Sequence, residues 1–208
     1  MDCCFDRTGF PYVELKDPAL AVSLLPLTKL QFERYLADLT PHGDHWYEEL
    51  LKLNTRVSPQ HFTPEQRERL FLTGLLPAEA EAYAAWLGEG YRLPTVAEWR
   101  GIYRCFQSTT FTPFKASPTA DVDDRAAILL RRLEAQTRPR TPLDFSLMHG
   151  GVVEWARDGN VWTGLGAPRP SFQTNLWNPL RDTVPPIQPN QRLAFFGARL
   201  VRDLAKIP

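Results

Sequence analysis

The sequence predicts an α+β fold made of short strands, a few helices and much ordered loop, and three observations carry that reading. Nineteen prolines and 12 glycines are spread along all 208 residues. Each proline fixes φ and removes a backbone donor, so many turns between short elements follow. Two helix starts are written as capping boxes, Thr28–Gln31 and Thr95–Glu98. In such a box each side chain satisfies a free backbone N–H at the start of the helix. Two short apolar runs, Ala19–Leu25 and Leu193–Val201, have the length and composition of buried strands.

Taken in order, Ala19–Leu25 is the first strand. It leads into a helix capped by Thr28, with Phe32, Tyr35, Leu36 and Leu39 on one face and Pro41 as the stop. Residues 42–73 read as polar and irregular, with helical turns around Trp46–Leu53 and Pro64–Leu72. Pro77 opens a second helix over Ala78–Leu87 that ends at Gly88 and buries Ala80, Tyr83, Ala84 and Leu87. A third starts at Thr95 and carries Trp99, Ile102 and Tyr103. After a loop over Ser108–Pro118, Asp121–Gln136 is helix-compatible, with acids at its start and Arg131-Arg132 toward its end, as the helix dipole favours. Beyond Pro139 short strands and long turns take over, ending in Leu193–Val201 as the last strand. Residues 1–18 read as an N-terminal segment and 19–208 as a single domain.

Charge narrows the function classes. The 24 basic residues balance 24 acidic ones, which argues against a dedicated nucleic-acid binder, since such a protein neutralises phosphates with excess cations. No apolar run approaches the ~20 residues that span a bilayer. The start, Met1 to Arg7, has an early acid and no apolar stretch, unlike a signal peptide. The odd set of Cys3, Cys4 and Cys105 reads as free thiols, two of them at a loose terminus, in a reducing compartment. The expectation is a cytoplasmic protein with neither membrane nor nucleic-acid partners.

Five segments carry a resemblance to a known family. Tyr91-Arg92-Leu93-Pro94-Thr95-Val96-Ala97-Glu98-Trp99 resembles the "RLPTEAEWE" signature of formylglycine-generating enzymes, the sulfatase-modifying factors. Glu81–Leu87 is similar to the helix that precedes that signature. Phe145–Trp155 resembles "LYDMHGNVWEW", Gly197–Arg202 resembles "GFRLVR", and Pro26–Phe32 resembles the family's first helix. The matches keep the family's order and run from about residue 20 to residue 203. The resemblance implies the family's C-type-lectin-like architecture.

It also implies chemistry that this chain departs from. Formylglycine-generating enzymes use a C-terminal cysteine pair as soft copper ligands and reactive thiolates. The corresponding stretch here, Thr163–Thr174, contains no cysteine, so no catalytic residue is assigned. Iron enzymes of the family take histidines from an extra helical domain for which this chain has no room. His42-Gly43-Asp44-His45, with Glu48 or Glu49 a turn on, has metal-like spacing but a glycine loop, and is a poor preformed site. His149 falls on the family's "MHG" position and reads as structural. A calcium site is implied through the Glu of "EW", here Glu154. Leu147 replaces its Asn or Asp ligand, however, and Gly151 replaces its Asn, so calcium is disfavoured and no cofactor is expected. Thr95 reads as a cap, Trp99 and Trp155 as core anchors, and Arg92, Glu98 and Glu154 as charges satisfied by buried partners.

The expected function is a catalytically inactive module that binds another protein or a ligand. The candidate binding residues are Arg157, Asn160, Trp162, Arg169, Phe172, Trp177, Asn178 and Arg181, a mixture of aromatics and arginines in loop-rich sequence of the kind interfaces favour. For Trp162, Phe172 and Trp177 a core role stays open. Two alternatives also remain: an enzyme with divergent, oxidoreductase-like chemistry in the same groove, and a diversified ligand-binding protein of the C-type-lectin-like fold.

Overall fold

The computed structural model describes residues 3–39, 46–54, 58, 60–112, 124–148, 150–166, 177–184 and 190–204. Strands β1 (Cys3–Phe5), β2 (Pro11–Lys16), β3 (Ala19–Ser23), β4 (Tyr91–Arg92) and β8 (Val201–Asp203) form an antiparallel sheet in the order β1-β2-β3-β8-β4. A second sheet of β5 (Val153–Asp158), β6 (Val161–Leu165) and β7 (Phe196–Gly197) has the order β6-β5-β7, with β5 and β7 parallel. The helices are α1 (Lys29–Asp38), α2 (Trp46–Leu53), α3 (Pro77–Leu87), α4 (Val96–Ser108), α5 (Asp124–Thr137) and α6 (Pro142–Ser146), with a 3₁₀ helix over Pro64–Leu70.

Both capping boxes form. Gln31 N donates to Thr28 Oγ1 at 3.2 Å while Thr28 N donates to Gln31 Oε1 at 3.0 Å, and Thr95 and Glu98 repeat the exchange. The Gln31 amide also donates to Asp6, whose carboxylate accepts from Thr8 and Phe10 N–H groups. This joins the β1–β2 turn to α1. Burial raises the Asp6 pKa despite those donors.

The core is double because strands send alternate side chains to opposite faces. Val13, Leu20 and Val22 join Trp99, Ile102, Phe106 and Phe145 on one side, whereas Tyr12 and Ala21 join Phe32, Tyr83, Trp155 and Phe196 on the other. The same alternation along β5 puts Val153 and Trp155 on the second side, and leaves Ala156 on the first side with Glu154, which accepts from Trp99.

Five expectations change. The run Leu193–Val201 is not one strand: Phe196–Gly197 pairs with β5, and the chain crosses at Ala198–Leu200 to enter the first sheet at Val201. The crossing sets Arg199 between the sheets, where its partners lie on both. Cys3 and Cys4 are not at a loose end; they lie in β1 as free thiols, and burial pushes the Cys3 thiol up to about 12. A further helix, α6, interrupts the region read as strands. Thr141 and Asp144 cap it, a box visible in the sequence at the same spacing as the other two. The last turn of α5 contains no basic residue, and Arg131-Arg132 sit earlier in it. The segment before residue 19 supplies two strands to the main sheet.

Candidate functional site

The family-like motifs converge on one buried ion pair. Glu154 Oε2 accepts from Trp99 Nε1 at 2.6 Å and from Arg199 Nε at 2.9 Å, and Oε1 accepts from Arg199 Nη2 at 2.8 Å. Arg199 also donates to the carbonyls of Ser23 at 2.7 Å and Ser146 at 2.8 Å. Both charged side chains are at most 1% exposed. A bidentate, charge-assisted pair with its remaining protons satisfied is the arrangement in which a buried charge is tolerated. Nearby, the Arg92 fork holds Glu98 at 2.8 Å and Asp203 at 2.6 Å, joining β4, α4 and β8. Trp155, on the opposite face of β5, donates to Leu75 O at 2.6 Å.

These residues do not fit the metals that the resemblance implies. Both oxygens of Glu154 accept N–H donors, and the Arg199 guanidinium already supplies the cation that neutralises the carboxylate. Leu147 is an apolar side chain in the left-handed region at φ 58°, and the 3₁₀ helix lays the Glu68 side chain over Gly151, 3.2 Å from where a Cβ would stand. Calcium needs several oxygen ligands. For copper, the three thiols lie on β1 and α4. His42, His45 and His149 lie outside the described residues. Glu48 and Glu49 of α2 approach Lys52 at 3.9 Å and Arg192 at 3.7 Å.

The candidate surface divides. Arg157 and Trp162 are cross-strand partners in the β5–β6 hairpin, which places the guanidinium 4.7 Å from the indole centroid. Glu81 of α3 meets Arg157 at 2.9 Å. Asn160 sits in the two-residue turn after Gly159, whose φ of 59° suits a tight hairpin, and Val161 beside it is 55% exposed. Trp162 is half-buried, part core and part surface. Trp177, Asn178 and Arg181 belong to a separate turn. There Asn178 Oδ1 accepts from Leu180 N, Asp182 accepts from Asn178 N and Arg181, and Arg100 of α4 anchors the Arg181 carbonyl at 2.8 Å. Arg169 and Phe172 lie outside the described residues. Sequence reasoning missed Glu81, whose place one turn after Pro77 gave no sign of a partner on β5.

It also missed a cleft of about 480 Å³ between α1 and α2, lined by Lys29, Phe32, Glu33, Leu36, Leu51 and Leu72. Burial, with Arg69 nearby, lowers the Lys29 ammonium to about 8. Only the neutral amine is nucleophilic, so half of Lys29 is reactive at that pH, against under ~1% of an ordinary lysine. Acylation at Lys29, followed by peptide mass mapping, should therefore level off above pH 9 (roughly one unit past the midpoint). A rate that climbs steadily to pH 10 would contradict the lowered value.

A family model described as the sulfatase-modifying factor enzyme 1-like domain matches residues 6–203. The chain is 27% identical over 162 residues to a protein of Chlamydia caviae named serine/threonine-protein kinase pkn1; the match covers 76% of this chain and 25% of that protein. The chain thus spans about a quarter of the length of that curated relative. A solved structure described as that of CarF aligns over 98% of this chain and 96% of its own, with a TM-score of 0.48 and 16% identity.

Proposed function

Because the chain belongs to the sulfatase-modifying factor enzyme 1-like domain family, we propose that it is a catalytically silent member that binds another protein. The observation that carries this reading is the Glu154–Arg199–Trp99 network. The charged groups Arg92, Glu98, Glu154 and Arg199 of the family-like motifs are taken up in ion pairs within the fold. The absence of any cysteine after Cys105 removes the thiolate pair on which copper-dependent oxidation depends. Neither copper nor calcium has a role in this reading.

What the scaffold offers outward is the β5–β6 hairpin, where Arg157, Asn160, Val161 and Trp162 combine an aromatic, a cation and an amide on a rigid base. Trp177, Asn178 and Arg181, on their separate turn, are further candidates for contact with a partner. The similarity to a quarter of a protein named as a kinase supports a domain that works beside another activity. Free thiols at Cys3, Cys4 and Cys105 fit the cytoplasm.

One experiment tests the silent site and its converse. Incubated with copper, oxygen and a sulfatase-type cysteine peptide, the protein should leave the peptide mass unchanged. Formylglycine above a no-protein control would overturn the reading.

A further inference from the structure

Several described arginines are held by carboxylates, and others are not. Those at positions 7, 92, 157, 181, 192 and 199 each hold a carboxylate at 2.9 Å or closer. Arg131 and Arg138 of the α5 region are exposed, and neither has a carboxylate within 4 Å among the described residues. Both line a cleft of about 490 Å³ with Glu134, Ala135, Phe111 and Pro139. Positions 131, 134, 135 and 138 recur at the spacing of one helix face, so the cleft runs along α5, with Phe111 opposite, held by its N–H donating to Arg140 O at 2.8 Å. Asp144, the next acid along the chain, is engaged as the α6 cap.

Arg138 shows a second, independent feature. It follows the end of α5 with φ at 45°, a conformation that glycine adopts without strain and a residue with a Cβ rarely does. The position nevertheless carries a cation, beside the carbonyl end of the helix.

We propose that this cleft docks an extended acidic segment of a partner protein, with two carboxylates flanking an apolar side chain in the pattern acid-x-apolar-x-acid. Seven residue steps, from Arg131 in α5 to Arg138 just past its end, set the two arginines about 10 Å apart along the axis. In an extended peptide, residues i and i+4 lie on one face about 13 Å apart, a difference that two long arginine side chains absorb, and residue i+2 points the same way. That residue meets Ala135, Phe111 and Pro139 between the two charge pairs. Glu134, midway between the arginines, decides between peptide and nucleic acid. A nucleic-acid strand carries a charge on every nucleotide and would set one against this carboxylate, whereas the peptide presents an apolar group there. The proposal rests on α5 and is independent of the β5–β6 surface.

The test uses the full chain and fluorescence anisotropy at low ionic strength, where exposed charges are least screened. The probes are labelled Gly-Glu-Ser-Leu-Ser-Glu-Gly, the same peptide with Gln for Glu, and hexathymidylate. The Glu peptide should bind about 10-fold more tightly than the Gln peptide, a preference two close charge pairs readily supply. The double variant Arg131→Glu/Arg138→Glu should abolish it, and Arg104→Glu, exposed on α4, should keep it. Arg138→Gly relieves the positive φ and so cannot lose the fold through strain; it too should lose most of the preference. Equal binding of the two peptides, a preference that survives Arg138→Gly and the double variant, or tighter binding of hexathymidylate would each overturn the proposal.

Discussion

Replacing Glu154 by alanine should cost about 3–5 kcal/mol of folding stability, read as a lowered denaturant midpoint at unchanged slope. The loss comes less from the missing contact than from what remains. Arg199 is wholly buried, and without Glu154 its Nε and part of Nη2 face the interior unpaired while Trp99 Nε1 loses its acceptor. An unsatisfied buried cation is expensive because the interior cannot replace its hydration. The double variant Glu154→Leu/Arg199→Met should therefore recover much of the loss, since removing both charges leaves only the Trp99 donor and two carbonyls to satisfy. The exposed pair Arg157–Glu81 supplies the contrast. At a similar distance of 2.9 Å but about half exposed, its loss in Arg157→Ala should change stability by no more than about 1 kcal/mol. If Glu154→Ala were as mild as Arg157→Ala, the buried network would not be what holds β5 to the Arg199 crossing. If the double variant were no more stable than the single one, the explanation by an unpaired charge would fail.

That network also marks how far the sequence could be read. Local chemistry was legible. Thr28 with Gln31 and Thr95 with Glu98 announce their helices because both halves of each box lie within four residues, and Gly88 ends α3 where the pattern says it should. The family and fold class were legible from ordered motifs that the family model matches over residues 6–203. Glu154 could be read as needing a buried partner, but the partner is 45 residues away and sits at the one place where a continuous apolar run changes sheets. Apolar character marks burial and is silent on which sheet a residue joins, so Leu193–Val201 read as one strand. The geometry of the candidate surface was illegible for the same reason. Arg157 and Trp162 are cross-strand neighbours only through the register of the hairpin, and Glu81 reaches them from a helix 76 residues earlier.

Gly197→Ala should destabilise the protein by about 3 kcal/mol or more, whereas Gly101→Ala should stabilise it by roughly 0.5–1 kcal/mol. The two positions receive the same methyl group into opposite surroundings. At Gly197 a Cβ would stand 2.6 Å from Val152 Cγ1 and 2.7 Å from the Leu72 carbonyl oxygen. Val152 has some freedom to turn, but Leu72 has little. Its own N–H donates to Leu27 O at 2.8 Å, and Leu27 in turn donates to Ala198 O at 2.7 Å, so the obstructing backbone is bonded back to the residue that follows the glycine. Moving β7 aside instead would shift the register Glu154↔Gly197 and with it the carboxylate that neutralises Arg199. Gly101, by contrast, lies inside α4, where the nearest atom to an added Cβ is Pro18 Cδ at 3.5 Å, an ordinary contact. There alanine only removes the backbone freedom that glycine gives the unfolded chain. For a chain of this size each kcal/mol moves the melting temperature by about 2–4 °C. The pair should therefore separate by roughly 7 °C or more, in opposite directions from the parent. Should Gly197→Ala melt with the parent, the tight packing of Leu72 and Val152 against β7 would not exist as described.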